Sequence, residues 1–524
     1  MRDTAEAVLR RGQISLRKGK IMKKNGMKMT AAAFAALMAV SVGAVVVSAD
    51  GTYENTPLQI GSMSQYLSEW DDDLEMEISR CVYPQVFVGE SDREAYANLD
   101  AALTAWNEEM ESSTEAYNLE AVQLAREAAA SSDSFAGYTS TENLYIERAD
   151  QHVLSMLSSK DVYSGGPHPS TAYQTWNIDP ATGETLKLSD VCTDVDSLMA
   201  LLQEKVTEKY PETAEFTEVW DTLEPEELHW SAGYYGISFY FGHYELGAYA
   251  IGTQNILIPY SGNEALFNAD YLDVPEEFAF EMFSTEQEVC DADGDGSYEA
   301  VSLTPSNDGY GSYDGMTVTF GGSSLDLDDY FYSYRSAIVC ANGGQTYLYL
   351  MERGESDYST IAVIALSESG VPEEVSTFEG SMHYEENGDR WFSEVLTDPA
   401  DFDIDIKTAM LSTVSGCRSC YVGEKGLPVS REAGDWYRIN SGITLTLLKD
   451  LEMTIVDEAG SEQGTETFPA GTEFTMSRTD NSEWVDLSVS DGRLARVYID
   501  SQTWPRTIDG TDIEEVFDGM IFAG

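Results

Sequence analysis

The stretch from Asp291 to Glu299 has the residue types and spacing of a calcium-binding loop. Aspartates at its first, third and fifth positions direct carboxylates to one centre, and the glycine at the sixth position permits the sharp turn between them. Calcium prefers several hard oxygen ligands of this kind, including a backbone carbonyl at the seventh position. The predicted ligands are Asp291, Asp293, Asp295, Ser297 and Glu299.

This loop departs from an EF-hand, because its last acid is Glu299 and the position expected for that acid holds Ser302. Residues 300–303 are also predicted to form a strand instead of a helix. The stretch therefore resembles the D-x-D-x-D-G-x-x-E/D loops set in β-hairpins of integrin-like repeat proteins. We expect a structural calcium ion here, with a metal-free Asp/Gly turn as the alternative.

The remaining titratable residues offer no recognisable catalytic motif. The five histidines show no H-x-x-x-H spacing, no G-x-S-x-G elbow occurs, and no cysteine lies in a nucleophile context. Paired carboxylates for glycoside cleavage stay open, because the chain is rich in acids and sequence spacing does not give spatial separation. We expect a protein without catalytic activity of its own. The histidines are His152, His168, His229, His243 and His383.

Two aromatic segments are the best candidates for ligand contact. In the first, Y-S-G-G-P-H-P, adjacent glycines predict a tight loop, and His168 either contacts a ligand or bonds to nearby backbone. In the second, residues 236–245, alternation assigns Phe239 and Phe241 to the core and Tyr240 to the opposite face. The predicted ligand-binding residues are Tyr163, Gly165, Gly166, His168, Tyr240 and Tyr244.

These segments resemble the extracellular PdaC/RsiV-like domain of lysozyme-sensing anti-sigma factors, which also accompanies the catalytic domain of a peptidoglycan deacetylase. The matching pieces are the Y-S-G-G-x-H loop, the turn region Asn177 to Asp190, and the tail residues 244–245, 248–250 and 258–260. The resemblance covers roughly residues 74–275 and implies an α+β fold that works in the cell envelope. The T-F-D-D-G signature expected of the deacetylase family is missing.

Charge restricts the partners. The formal net charge of the chain is −62, and the basic residues are concentrated before residue 50. Such a surface disfavours nucleic acid and anionic lipid, and it attracts basic proteins or divalent cations. Lysozyme-like proteins fit this charge, and peptidoglycan is the second ligand that the resemblance implies.

The N-terminus is typical of an export signal. Lys23, Lys24 and Lys28 precede an apolar run over residues 31–47, and a small-residue cleavage site ends at Ala49. Met22 is a possible start, and an uncleaved membrane anchor is the alternative to cleavage. Only a short segment precedes the apolar run, so we expect no cytoplasmic portion that binds a sigma factor. The predicted location is extracellular or cell-wall associated.

Six cysteines in an exported protein suggest disulfides. The pairs Cys81–Cys192, Cys290–Cys340 and Cys417–Cys420 would each stay within one proposed domain. The C-R-S-C pair at 417 and 420 also has metal-ligand spacing, but no second pair or nearby histidine in the sequence completes a zinc site.

Periodicity predicts a multidomain protein. After the signal, residues 1–49, the resemblance implies an α+β PdaC/RsiV-like domain over 50–283, and strand patterns predict an all-β domain with the calcium loop over 284–415. Residues 483–487 and 494–499, predicted to be strands joined by the turn Ser490-Asp491-Gly492, resemble bacterial SH3-like barrels. We therefore expect a small SH3-like β-barrel over 416–524. Helical spacing predicts helices over 95–110, 115–129 and 198–210. The function expected is recognition of a lysozyme-like protein or peptidoglycan, with a wall hydrolase and a structural surface protein as alternatives.

Overall fold

The computed structural model describes residues 55–522, with gaps at 131–136, 167, 216–218, 221, 284–287, 293–296, 356–357, 368, 388–389, 433 and 503. Two compact units are distinguished, Met1–Tyr53 and Glu54–Gly524, and the first lies outside the described residues. The predicted signal segment lies outside them too. Within the described residues, no helix combines the length and apolar composition that a bilayer crossing requires.

The secondary structure is mostly β with a few helices. The helices are α1 (Glu90–Arg93), α2 (Ala97–Ala129), α3 (Leu188–Val191), α4 (Val195–Lys209) and α5 (Ala269–Leu272). The strands up to residue 281 are β1 (Ile60–Asp71), β2 (Met76–Val88), β3 (Tyr138–Ala149), β4 (Leu154–Tyr163), β5 (Ser170–Ile178), β6 (His229–Ala232), β7 (Gly236–Phe241), β8 (Gln254–Pro259) and β9 (Phe278–Glu281).

Strands dominate the rest of the chain. The next strands are β10 (Glu288–Cys290), β11 (Glu299–Asn307), β12 (Tyr313–Phe320), β13 (Ser323–Leu327), β14 (Ser333–Ala341), β15 (Gln345–Arg353), β16 (Ser359–Leu366), β17 (Glu373–Glu379), β18 (Ser381–Met382), β19 (Tyr384–Asn387), β20 (Arg390–Val395), β21 (Phe402–Thr408) and β22 (Val414–Val422). The last strands are β23 (Pro428–Ser430), β24 (Tyr437–Ile439), β25 (Thr444–Leu447), β26 (Leu451–Val456), β27 (Glu462–Phe468), β28 (Glu473–Thr479), β29 (Trp484–Val489), β30 (Leu494–Tyr498), β31 (Thr507–Ile508), β32 (Thr511–Asp512) and β33 (Phe517–Asp518).

A seven-stranded sheet with the order β19-β20-β1-β2-β3-β4-β5 forms the first layer. Helix α2 covers it, because Leu99 and Leu103 recur at helical spacing and pack on buried strand residues such as Ile146. The sequence predicts two helices here, but the structure has one continuous helix, since no glycine or proline interrupts residues 97–129. Helix α4 packs in the same way on the three-stranded sheet β6-β7-β8.

A five-stranded sheet, β17-β16-β15-β14-β9, lies between two cores. In β15, Leu348 and Leu350 belong to a core shared with the four-stranded sheet β10-β11-β12-β13, while Tyr347 and Tyr349 belong to a core shared with β21 and β22. Alternate side chains of a strand point to opposite faces, so an apolar run without polar interruption indicates burial on both sides.

The C-terminal strands form one open sheet of 12 strands. The predicted hairpin of β29 and β30 is present, with Ser488 opposite Leu494. The prediction of a closed SH3-like barrel is wrong, because no sheet of the described residues closes on itself. Strand β24 pairs with both β22 and β28, so the sheet continues into the preceding segment. The domain boundaries at residues 283 and 415 stay predictions.

All six cysteines lie in the described part of the chain, and no disulfide joins them there, so the predicted pairing is not formed in this structure. Cys417 and Cys420 are three residues apart on β22 and therefore point to opposite faces. Burial raises the pKa of the Cys192 thiol to about 12 and that of Cys340 to about 11. These two thiols are therefore protonated at neutral pH.

A buried ion pair connects the first sheet to a distant loop. Arg148 and Asp150 are both fully buried, and Nε of Arg148 donates to Oδ2 of Asp150 at 2.7 Å. The guanidinium also donates to the carbonyls of Tyr271 and Asp273 at 2.9 Å each. Asn55 Nδ2 donates to the same carboxylate oxygen, Asp150 Oδ2, at 3.1 Å.

Replacing Arg148 should therefore destabilise the fold strongly. We expect Arg148→Met to lower the free energy of unfolding by about 3–5 kcal/mol, because it leaves the Asp150 carboxylate buried without its cation. The measurement is chemical denaturation. The matched control is Arg126→Met, since Arg126 pairs with Glu69 at the surface and should cost less than about 1 kcal/mol. A loss for Arg148→Met no larger than that for the control would contradict the assignment.

Glu352 on β15 is a buried acid whose carboxylate has few hydrogen-bond partners. It is 4% exposed, and its Oε2 accepts only a long hydrogen bond of 3.4 Å from Thr360 Oγ1. Its Oε1 has no hydrogen-bond partner among the described residues. Burial, with the nearby charge of Asp329, raises the pKa of Glu352 to about 7.

This raised pKa makes stability depend on pH. The folded chain holds the proton more tightly than the unfolded one, so Glu352 destabilises the fold increasingly as pH rises from about 4.5 to about 7. Glu352→Gln should raise the free energy of unfolding by about 1–2 kcal/mol at pH 8 and change little at pH 4. Thermal melts at both pH values measure this, and an equal effect at both would contradict it.

Candidate functional site

The glycine-rich loop lies between β4, which ends at Tyr163, and β5, which begins at Ser170. Gly165 has φ of +81° and Gly166 has φ of +121°, both in the region that favours glycine. The Tyr163 hydroxyl donates to the Gly166 carbonyl at 3.4 Å. The two adjacent glycines thus turn the chain sharply and leave an exposed loop, of which Pro167 lies outside the described residues.

Beside this loop, four rings form what we call the aromatic cluster: His168, His243, Tyr244 and Tyr249. The ring of Tyr249 lies between two imidazoles, stacked at 3.7 Å on His168 and at 4.2 Å on His243. Tyr244 lies 5.5 Å from Tyr249 and is 51% exposed. Its backbone has φ of +69°, which is unusual for a tyrosine and turns the chain at this point.

Backbone hydrogen bonds hold the cluster together. The Tyr249 hydroxyl donates to the Pro169 carbonyl at 3.1 Å, so it fixes the loop that carries His168. The Thr171 amide donates to Nδ1 of His243 at 3.2 Å, so Nδ1 is the acceptor nitrogen of that ring. Gly242 permits this approach, because a Cβ there would lie 3.0 Å from the Thr171 carbonyl oxygen.

The structure brings together five of the six predicted ligand-binding residues. His168 and Tyr244 are in the aromatic cluster, and Tyr163, Gly165 and Gly166 form the adjoining loop. Tyr240, which alternation assigned to the face of β7 opposite Phe239 and Phe241, is not part of this surface, so its prediction as a ligand-binding residue places it apart from the other five.

Tyr240 is 3% exposed, and its hydroxyl lies 3.0 Å from Ser231 Oγ and 3.2 Å from Glu147 Oε2. His243 and Tyr249 belong to the cluster but are not among the residues predicted from the sequence to bind a ligand. Their signal was the pair of short tail motifs, G-H-Y-E and A-Y-A, but only the fold places these beside the loop.

The predicted calcium loop connects β10 to β11, which pair antiparallel with Cys290 opposite Glu299. Residues 293–296, which include the predicted ligands Asp293 and Asp295, lie outside the described residues. At the base of the loop, the Ala292 amide donates to Glu299 Oε2 at 3.1 Å. The predicted strand after the loop is confirmed as β11, and the metal assignment stays a prediction.

A second polar cluster, which we call the His383 cluster, consists of His383, Asp405 and Cys417. One ligand atom of each, namely an imidazole nitrogen, a carboxylate oxygen and the thiol sulfur, lies within 4.8 Å of the other two. His383 Nδ1 is 2.7 Å from Asp405 Oδ1. The Cys417 thiol donates to Asp403 Oδ2 at 3.5 Å.

Strand register builds the His383 cluster. Asp405 on β21 lies opposite Cys417 on β22 and opposite Ser381 on β18, and His383 follows β18 directly. Burial and the charges of Asp403 and Asp405 raise the pKa of the Cys417 thiol well above its usual value. His383 and Cys417 are far apart in the sequence, so their spacing along the chain did not predict that the sheet brings them together.

Comparisons with known proteins give few relatives. No protein-family model matches the chain, and no curated protein matches it. Among solved structures, a DUF3298 family member from Bacteroides fragilis is 19% identical, has a TM-score of 0.34, and covers 41% of this chain and 96% of its own. A DUF3298 family protein from Pseudomonas aeruginosa is 15% identical, has a TM-score of 0.29, and covers 41% of this chain and 97% of its own.

DUF3298 is the domain found in PdaC/RsiV-like proteins, so these structures belong to the group that the sequence motifs resemble.

Proposed function

We propose that this protein is an extracellular or cell-envelope binding protein that recognises a basic, lysozyme-like protein at its aromatic cluster, without catalysis of its own. The observation that carries the proposal is the cluster itself, in which an exposed histidine and an exposed tyrosine, His168 and Tyr244, lie together beside a glycine-rich loop. Exposed rings held by stacking and backbone bonds offer contact area at a low entropy cost.

Charge supports a basic ligand. The net charge of −62 speeds the approach of a basic protein by electrostatic steering, and acids lie close to the cluster. Asp161 accepts from Thr171 Oγ1 at 2.5 Å, and Glu245 Oε2 accepts from the Gly242 amide at 3.0 Å. The same charge disfavours nucleic acid and anionic membranes as partners.

The sequence resemblance of residues 74–275 supports work in the envelope, and the export-type N-terminal segment agrees with it. Peptidoglycan is the second candidate ligand. The stack on Tyr249 holds the His168 ring in place, and exposed aromatic rings are suited to stacking on sugars. A wall hydrolase and a structural surface protein are the rivals from other classes.

Lysozyme binding should depend on salt and on the aromatic cluster. Isothermal titration should give a smaller dissociation constant at low than at physiological salt, because exposed charges are screened by ions. Tyr244→Ala and His168→Ala should each weaken binding at least about tenfold, which corresponds to about 1.4 kcal/mol. The control is Tyr310→Ala, since Tyr310 is 94% exposed in the turn between β11 and β12. If no heat of binding is measured at either salt concentration, a lysozyme-like protein is excluded as the ligand.

Incubation with purified peptidoglycan separates the other classes. Released fragments would show an enzyme, and co-sedimentation without release would show a wall binder. If there is no fragment release, no co-sedimentation and no heat of binding to lysozyme, the structural role is the one that is left. A co-sedimentation that Tyr244→Ala abolishes and Tyr310→Ala preserves would assign the aromatic cluster to peptidoglycan.

We also propose a structural calcium ion at Asp291, Asp293, Asp295, Ser297 and Glu299, because a hairpin holds both ends of this acidic loop. Calcium at about 1 mM should stabilise the chain by about 1–3 kcal/mol relative to EDTA, through binding to the folded state alone. Asp293→Ala should remove this difference. Thermal melts that are insensitive to calcium and EDTA, with Asp293→Ala melting like the parent, would contradict the site.

A further inference from the structure

We propose that the His383 cluster is a binding site for a borderline divalent transition-metal ion of the zinc class, with His383, Asp405 and Cys417 as ligands. The three side chains offer one imidazole nitrogen, one carboxylate oxygen and one thiol sulfur. This mixed donor set is the one that zinc takes in proteins, whereas calcium and magnesium prefer oxygen alone.

The ligand positions are fixed by the backbone. Asp405 and Cys417 are partners across the β21–β22 ladder, and the His383 amide donates to the Asp403 carbonyl at 3.0 Å, which extends the β18–β21 pairing. Tetrahedral zinc with bonds of about 2.0–2.3 Å places its ligand atoms about 3.5 Å apart. The present atoms lie within 4.8 Å of one another, so rotations of side chains close the site without movement of the strands.

Binding exchanges two contacts for metal bonds. The 2.7 Å contact between His383 Nδ1 and Asp405 Oδ1 lengthens as both atoms turn to the ion. The Cys417 thiol gives up its hydrogen bond to Asp403 and releases its proton to solvent water as the sulfur–metal bond forms. The second oxygen of Asp405 is held by the Tyr384 amide at 3.0 Å, which orients the carboxylate in the way that outer-shell bonds orient metal ligands.

The surrounding charge favours a cation. Asp403 Oδ2 lies 3.5 Å from the Cys417 sulfur and accepts its hydrogen bond, so it adds a negative charge beside the three ligands. Arg438 is 3.9 Å from Asp403 and also pairs with Glu432 at 3.0 Å. A divalent cation would offset the repulsion between the carboxylates and the developing thiolate.

The site is open on one side. Asp405 and Tyr384 line a cleft of about 310 Å³, whose wall also includes Arg353, Glu379 and Lys407. His383, Asp405 and Cys417 are each only partly buried, so an ion and its water reach them from solvent. Three protein ligands with one accessible position form a site that accepts water or a donor atom of a bound molecule.

Cobalt and zinc binding to the full chain tests this proposal, after chelator treatment and with calcium at about 1 mM to occupy oxygen-only sites. Cobalt should give the near-ultraviolet absorption of a thiolate–cobalt bond in the unaltered chain. Cys417→Ser should abolish that absorption, and the control Cys420→Ala should preserve it because Cys420 points into the core on the opposite face of β22.

Equilibrium dialysis with zinc alone should show one tight equivalent, weakened at least about tenfold in His383→Ala and in Cys417→Ser. Absence of the thiolate–cobalt absorption in the unaltered chain would overturn the proposal without reliance on any variant. Equal zinc affinity in the parent and Cys417→Ser would overturn it as well, since it would mean adsorption to surface carboxylates only. Lysozyme and peptidoglycan binding rest on other residues and are unaffected by either result.

Discussion

The buried pair of Arg148 and Asp150 is the interaction on which the first half of the molecule depends. A charge without access to water must be matched by its neighbours, and here the guanidinium and the carboxylate are each matched several times over. The groups that match them come from the beginning of the described chain, from the β3–β4 turn, and from α5 and the residue that follows it. This network joins those segments to one another, and it supports the sheet whose β4–β5 connection is the glycine-rich loop.

A similar arrangement recurs near the C-terminus, where Asp486 is fully buried between two arginines. Arg478 donates to its Oδ2 at 2.7 Å, and Arg496 donates to both of its oxygens, at 2.7 and 2.9 Å. Trp484 stacks over Arg496 and Trp436 over Arg478, which shields both cations from water. In a chain with few arginines and many acids, placing arginines inside the fold leaves the surface even more acidic.

Local signals in the sequence predict local structure well here and long-range structure poorly. The helix Val195–Lys209 and the hairpin of β29 and β30 follow from periodicity and turn residues, which act over a few positions. The prediction of a closed barrel is wrong for a different reason. Closure depends on which strand edge meets which, and the pairing of β24 with both β22 and β28 has no marker in either segment.

The candidate sites divide along the same line. The glycine-rich loop could be predicted from the sequence, because positive φ favours glycine and adjacent glycines are typical of turns. The burial of Tyr240 could not be predicted from the sequence, because alternation separates the two faces of a strand but does not say what covers each face. Strand β7 is covered on both faces. The polar partners of the Tyr240 hydroxyl, Ser231 and Glu147, come from other strands.

Strand β21 shows how one alternating segment builds both core and chemistry. Its residues Phe402, Ile404 and Ile406 are buried, while Asp403 and Asp405 are partly exposed on the opposite face, beside Cys417. A shift of one residue in register would place acids in the core and apolar residues at the cluster, at a cost far above that of any single contact. The hydrophobic core therefore fixes the spacing of the polar row. The geometry of the His383 cluster is thus a consequence of the packing behind it.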